Sequence, residues 1–134
     1  MLENGFYKIT QEFVELIRQL GGTYKDAKDR PVFFCFEDKY TKGLYWAIPT
    51  SDRHTNRPAL YRISNCFPIT DKYIEGEYIS KGQHLILANK TEIEVIRRKL
   101  ARIIFDENKN PNKYEQHITA IKEYLSKELN EDIA

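Results

Sequence analysis

Cysteine is scarce in this chain. Cys35 and Cys66 both lie inside apolar stretches and have no Cys-x-x-Cys or Cys/His companion spacing, which argues against a disulfide framework or a zinc site and leaves each as a small core residue. Long hydrophobic runs are also missing. Val32-Phe33-Phe34-Cys35-Phe36 is far short of the ~20 apolar residues of a membrane-spanning helix. The start, MLENGFYKIT, has no basic region followed by an apolar one. The expected location is the cytoplasm, with no membrane partner. No charge of one sign dominates: 21 Lys and Arg stand against 20 Asp and Glu, a formal net charge of +1. Any nucleic-acid binding must come from local segregation of charge. There is no Gly-rich phosphate loop, no His-Glu-x-x-His and no G-x-S-x-G, and the three histidines, His54, His84 and His117, lie far apart. These absences argue against nucleotide- and zinc-dependent enzymes, and no cofactor is expected.

What is present is a foldable composition. A chain of 134 residues with 41% hydrophobic and 31% charged residues suits one domain, here 1–134, and excludes global disorder. Phe6, Tyr7 and Ile9 form a short apolar entry. Thr10 then caps a helix with Phe13, Val14, Ile17 and Leu20 on one face, ended by Gly21-Gly22. The polar stretch Thr23 to Arg30 reads as a surface loop. Val32 to Phe36 and Leu44 to Ile48 predict two antiparallel strands joined as a hairpin. Ala59 to Ile63, Cys66 to Ile69, Tyr78-Ile79 and His84 to Leu87 predict further short strands. The capping-box pattern Thr91-Glu92-Ile93-Glu94 opens a helix through Ile96, Leu100, Ile103 and Ile104, and Asn108 to Asn112 breaks it. A last amphipathic helix runs through Tyr114, Ile118, Ile121, Leu125 and Leu129. The expected fold class is α+β, a compact, strongly curved antiparallel β-sheet or small barrel flanked by helices.

The segment with chemical interest follows the second strand. Pro49-Thr50-Ser51-Asp52-Arg53-His54-Thr55-Asn56-Arg57-Pro58 packs hydroxyls, guanidiniums and an imidazole into ten residues. Hydroxyls and backbone N–H groups at a strand end cradle a phosphate, and a nearby Arg neutralises the extra charge of a pentacoordinate transition state. Metal-free RNA cleavage needs such groups, because the 2'-OH attacks the adjacent phosphate while two protons move. His54 can move protons; Arg53 cannot, since its pKa stays too high. The same composition is also that of an ordinary surface turn. The basic face Arg97, Arg98 and Arg102 reads either as an RNA-backbone contact or as a solvated face with salt bridges to Glu92 and Glu94. Tyr45 and Trp46 read as core or barrel-wall residues, and His84 and His117 as structural or surface ones.

Three stretches together carry a family resemblance. Arg30-Pro31-Val32-Phe33-Phe34-Cys35-Phe36-Glu37-Asp38, then Gly43-Leu44-Tyr45-Trp46-Ala47-Ile48-Pro49 with Thr50-Ser51-x-Arg53, and later Asn65-Cys66-Phe67-Pro68-Ile69-Thr70-Asp71-Lys72-Tyr73-Ile74 resemble the toxins of type III toxin-antitoxin systems. The likeness is to the CptN branch of the ToxN/AbiQ family. It implies a core similar to ToxN and to MazF/Kid toxins, and a metal-independent endoribonuclease cutting A-rich sites. It also implies inhibition by a small repeated pseudoknot RNA antitoxin in a toxin-RNA hetero-oligomer, and for some members a role in phage defence. Its catalytic residues map by motif onto Thr50, Ser51, Arg53 and Arg30. Relatives often carry Lys where this chain has Arg53, which leaves the proton to another group, for which His54 is nominated. Arg57, Arg97, Arg98 and Arg102 would bind RNA. The stretch between Arg53 and Asn65 is shorter than that branch usually has, so a non-catalytic RNA-binding module and a protein-neutralised toxin are the alternatives.

Overall fold

A computed structural model describes residues 1–25, 30–51 and 61–133. Among these described residues, seven strands and three helices follow in the order β1 (Phe6–Ile9), α1 (Gln11–Gln19), β2 (Val32–Glu37), β3 (Tyr45–Pro49), β4 (Phe67–Ile69), β5 (Ile74–Glu77), β6 (Ile79–Ser80), β7 (Gln83–His84), α2 (Lys90–Lys109) and α3 (Ile118–Ile133). Five strands form one antiparallel sheet in the order β4-β3-β2-β1-β5, and β6 and β7 form a separate hairpin. The expectation of α+β architecture with an antiparallel sheet flanked by helices is met. The barrel alternative is not: among the described residues the sheet stays open, with β4 and β5 as its edges. The edges are short and blunted, β4 by Pro68 and β5 by Glu75 and Glu77, features that discourage further strand pairing.

Alternation along the strands sorts the side chains between two cores. Tyr7, Val32, Phe34, Ala47 and Phe67 join Phe13, Val14 and Ile17 of α1 and Ile121 and Leu125 of α3 in one cluster. Phe6, Phe33, Cys35, Trp46 and Ile48 join Ile96 and Leu100 of α2 in the other. The sheet is therefore the middle layer of three, with α1 and α3 on one face and α2 on the other. Covering both faces explains why β2 reads as an unbroken apolar run instead of the alternating pattern of a one-sided antiparallel sheet. A one-residue slip would exchange the two sets of side chains between cores of different shape, so the register is well specified.

The β2–β3 hairpin has a built turn. Asp38 Oδ2 accepts from the backbone N–H groups of Tyr40 and Thr41 at 3.1 and 2.9 Å, and its Oδ1 accepts from Trp46 Nε1 at 3.0 Å. Opposite the turn-proximal half, the register shifts between Phe34 and Phe36, which places Cys35 in a bulge. Tyr45 and Trp46 act as wall and core residues, as expected. Trp46 is fully buried, and the half-buried Tyr45 lies edge-on to Phe34 at 5.2 Å.

Several element assignments are corrected. Helix α2 starts at Lys90, and Asn89, not Thr91, caps it, with Asn89 Oδ1 accepting from Glu92 N at 3.0 Å. Of the stretch expected as strand from Ala59 to Ile63, Ala59 and Leu60 lie outside the described residues, and the described part holds a single bridge, Tyr61 to Thr50, before a 3-10 turn over Ile63–Asn65. Strand β5 was not foreseen, because its sequence IEGE carries little apolar signal. Tyr114 precedes the last helix, in a turn with His117 at φ 51°. No helix among the described residues is long and apolar enough to cross a membrane.

Candidate functional site

The candidate site forms where five chain segments meet at one end of the sheet. Val32 pairs with Pro49, so the entry to β2, Arg30-Pro31, lies against the exit from β3, Pro49-Thr50. Thr50 ties them: its buried hydroxyl donates to the Pro31 carbonyl at 2.7 Å. The chain returns to the same place at Tyr61, which bridges Thr50, and Arg62 N donates to Pro49 O at 2.9 Å. Tyr61 is held by Phe33 and Phe6, with ring centroids 5.2 and 6.2 Å away. Burial pushes its phenol well above the ordinary value, with Glu92 adding to the shift, so it stays protonated at neutral pH.

The other two segments come from the helical layer. Gly21 and Gly22 end α1 directly on the turn before α3. A Cβ on Gly21, which sits at φ +100°, would stand 2.4 Å from His117 Nδ1, and one on Gly22 would stand 2.9 Å from Gln116 Oε1. This close approach delivers Thr23 to the turn. Thr23 N donates to the buried Gln116 Oε1 at 3.0 Å, Gln116 Nε2 donates to Thr23 Oγ1 at 3.3 Å, and that hydroxyl donates to Glu115 Oε2 at 3.3 Å. Tyr24 then turns inward, edge-on to Phe67 at 5.3 Å.

Between these segments lies an open cavity of about 550 Å³. Lys25, Arg30 and Arg62 line it together with the polar side chains of Thr23, Asn65 and Gln116, and Glu115 is the carboxylate at its wall. Among the described residues, three cations stand against one carboxylate, an anion-binding surface in a protein of nearly balanced charge. Guanidinium forks match phosphate oxygens in pairs, and such fixed donors also stabilise charge that develops on a reacting phosphate.

The structure thus brings together Arg30 and Thr50, and places Ser51, half-buried, immediately after Thr50. Arg53, His54 and Arg57 lie outside the described residues. Lys25, Arg62, Asn65 and Glu115 were not foreseen. Lys25 stood in a stretch that read as a plain surface loop, and Arg62 in an assumed strand. Thr23 and Gln116 are 93 residues apart in sequence, so no local signal marks the pairing.

The basic helix face lies elsewhere. Arg97 sits over the Phe36 ring at 5.1 Å, donates to Cys35 O at 3.3 Å and pairs with Glu3 at 3.1 Å. Its partner is therefore Glu3 from the chain start, where Glu92 and Glu94 had been expected. Arg97 and Arg98 line a second hollow with Phe36, Glu37 and Lys39, at the far end of β2 from Arg30. Six residues of strand separate the two ends by roughly 17 Å. Arg102 is exposed one turn beyond Arg98.

His84 is structural, as expected: Nε2 meets Phe6 O at 2.9 Å, Nδ1 faces Glu77 at 3.3 Å, and the ring stands edge-on to Tyr7 at 5.0 Å. Among the described residues no group of three or more His, Cys, Asp or Glu side chains is placed to hold a metal ion. No protein-family model matches the chain, and no curated protein sequence matches it.

Proposed function

We propose that the cavity at the ends of β2 and β3 binds RNA and cleaves it without a metal, as the endoribonuclease toxin of a type III toxin-antitoxin system. The observation that carries this reading is the convergence of Lys25, Arg30 and Arg62 on Thr50 around one cavity; in the sequence, Ser51, Arg53 and His54 follow Thr50 directly. The sequence resemblance supplies the reaction, and an antiparallel sheet packed by helices suits a core like that of ToxN and MazF/Kid toxins. In this reading Arg30 and Arg53 neutralise the phosphorane, Ser51 positions the phosphate and His54 assists proton transfer to the leaving 5'-oxygen through water. Products are a 2',3'-cyclic phosphate and a 5'-OH. Thr50 holds the two strand ends in place, because its hydroxyl proton is already given to Pro31. A small repeated RNA would occupy the same groove as inhibitor and form a hetero-oligomer with the toxin.

That engaged hydroxyl also favours a second reading, a non-catalytic RNA-binding module of the same fold. One experiment separates the two. Induced expression in bacteria, beside Ser51→Ala and Arg53→Ala, is followed by growth and by sequencing of new 5'-OH ends. Arrest with site-specific ends that vanish in both variants, and cleavage by purified protein that persists in EDTA, are the expected results. RNA binding without new ends assigns the binding module instead.

A further inference from the structure

We infer that Glu115 is the general base of this site, taking the proton from the attacking ribose 2'-OH; the inference rests on the ribonuclease reading above. A metal-free transesterification needs a proton acceptor beside the scissile phosphate. Guanidinium groups do not act as proton acceptors, which sets Arg30 and Arg62 aside. Thr50 is buried and engaged with Pro31. Glu115 is the carboxylate that shares the cavity with these cations.

Its setting is built. Gln116 is buried and spends both ends of its amide on Thr23, whose hydroxyl donates to Glu115 Oε2. This relay points a donor at one carboxylate oxygen and so orients the group from behind. The glycines at the end of α1 pack closely against Gln116 and the left-handed His117, the two residues that follow Glu115.

In the step, the Glu115 carboxylate accepts the 2'-OH proton as the 2'-oxygen forms its bond to phosphorus. The P–O5' bond breaks, and the 5'-oxygen leaves with the bonding pair and takes a proton from water. The carboxylic acid then returns its proton to the hydroxide so formed, leaving a 2',3'-cyclic phosphate, a 5'-OH and the starting carboxylate.

The test compares wild type, Glu115→Gln and Glu115→Asp on an RNA oligonucleotide, with the same oligonucleotide carrying a 2'-deoxy scissile nucleotide as an uncleavable binding probe. Glu115→Gln is expected to lower kcat/KM about 100- to 10,000-fold while binding the probe as tightly as wild type or more so. Its residual rate should rise about tenfold per pH unit as hydroxide replaces the lost base. Glu115→Asp should regain part of the rate with the wild-type form of the pH profile. If Glu115 only steadies the arginines, Glu115→Gln weakens probe binding along with cleavage and the profile keeps its form, which overturns the inference. Cleavage by Glu115→Gln at the wild-type rate also overturns it and leaves the ribonuclease reading intact. Wild-type protein that binds the probe and never cuts RNA overturns the ribonuclease reading, and the inference with it.

Discussion

Two hydroxyls next to each other in sequence have separate jobs. Thr50 is buried and its hydroxyl closes the gap between β3 and Pro31, whereas Ser51 is half-buried. Thr50→Val keeps the shape but strips the donor from the part-buried Pro31 carbonyl, and should cost about 1–2 kcal/mol of stability in a urea unfolding series. Ser51→Ala should stay within about 0.5 kcal/mol of wild type while losing cleavage. The pair was legible as a motif; the division of labour was not, because burial depends on Pro31 nineteen residues away. The two thiols are simpler. Burial raises both Cys35 and Cys66 from 9.0 to about 12. A raised folded value means that their contribution to stability is fully present below the unfolded thiol pKa and is lost as pH climbs from about 9 toward 12. At pH 8 neither should react with a thiol reagent faster than the protein unfolds, and both should appear together in denaturant.

Element boundaries were readable wherever a local signal coincided with a local cause. Helix α1 follows its Thr10 cap, whose side chain accepts from Phe13 N at 3.2 Å, and β2 and β3 follow their apolar runs. The start of α2 was misread because Thr91 offered a capping-box pattern just past the true cap, Asn89. Asn89→Ala should therefore cost about 1 kcal/mol, and Thr91→Ala should change thermal stability little, within about 0.5 kcal/mol. The junction of α1 with the turn before α3 carries more weight. Gly21→Ala must both adopt φ +100° and displace the His117 ring, so a loss of about 1–3 kcal/mol is expected by chemical denaturation. Because the same junction places Thr23 against Glu115 and Gln116, RNA cleavage should fall further than the fraction folded.

Across the whole molecule, a formal charge of +1 hides an uneven surface. Lys25, Arg30 and Arg62 gather at one end of the sheet, while Arg97 at the other end is engaged with Glu3, Phe36 and Cys35. Salt titration of RNA binding should show this asymmetry. Each phosphate neutralised on a single strand contributes about −0.7 to the slope of log K against log salt. Arg62→Ala should flatten the slope by about that amount, and Arg97→Ala should leave it nearly unchanged. Equal effects from both variants would place the RNA path along α2 as well.

The presence of three helices, the β2–β3 pair, the burial of β2 and the core placement of both cysteines followed from periodicity and composition, because those properties are written in neighbouring residues. The open edge at β5, the cap at Asn89 and the meeting of Thr23, Arg30, Thr50, Arg62 and Glu115 did not. They depend on which distant segments pack together. That outcome was decided by the three-layer arrangement, which stacks α1 and α3 on one face of the sheet and brings the ends of five segments to one place.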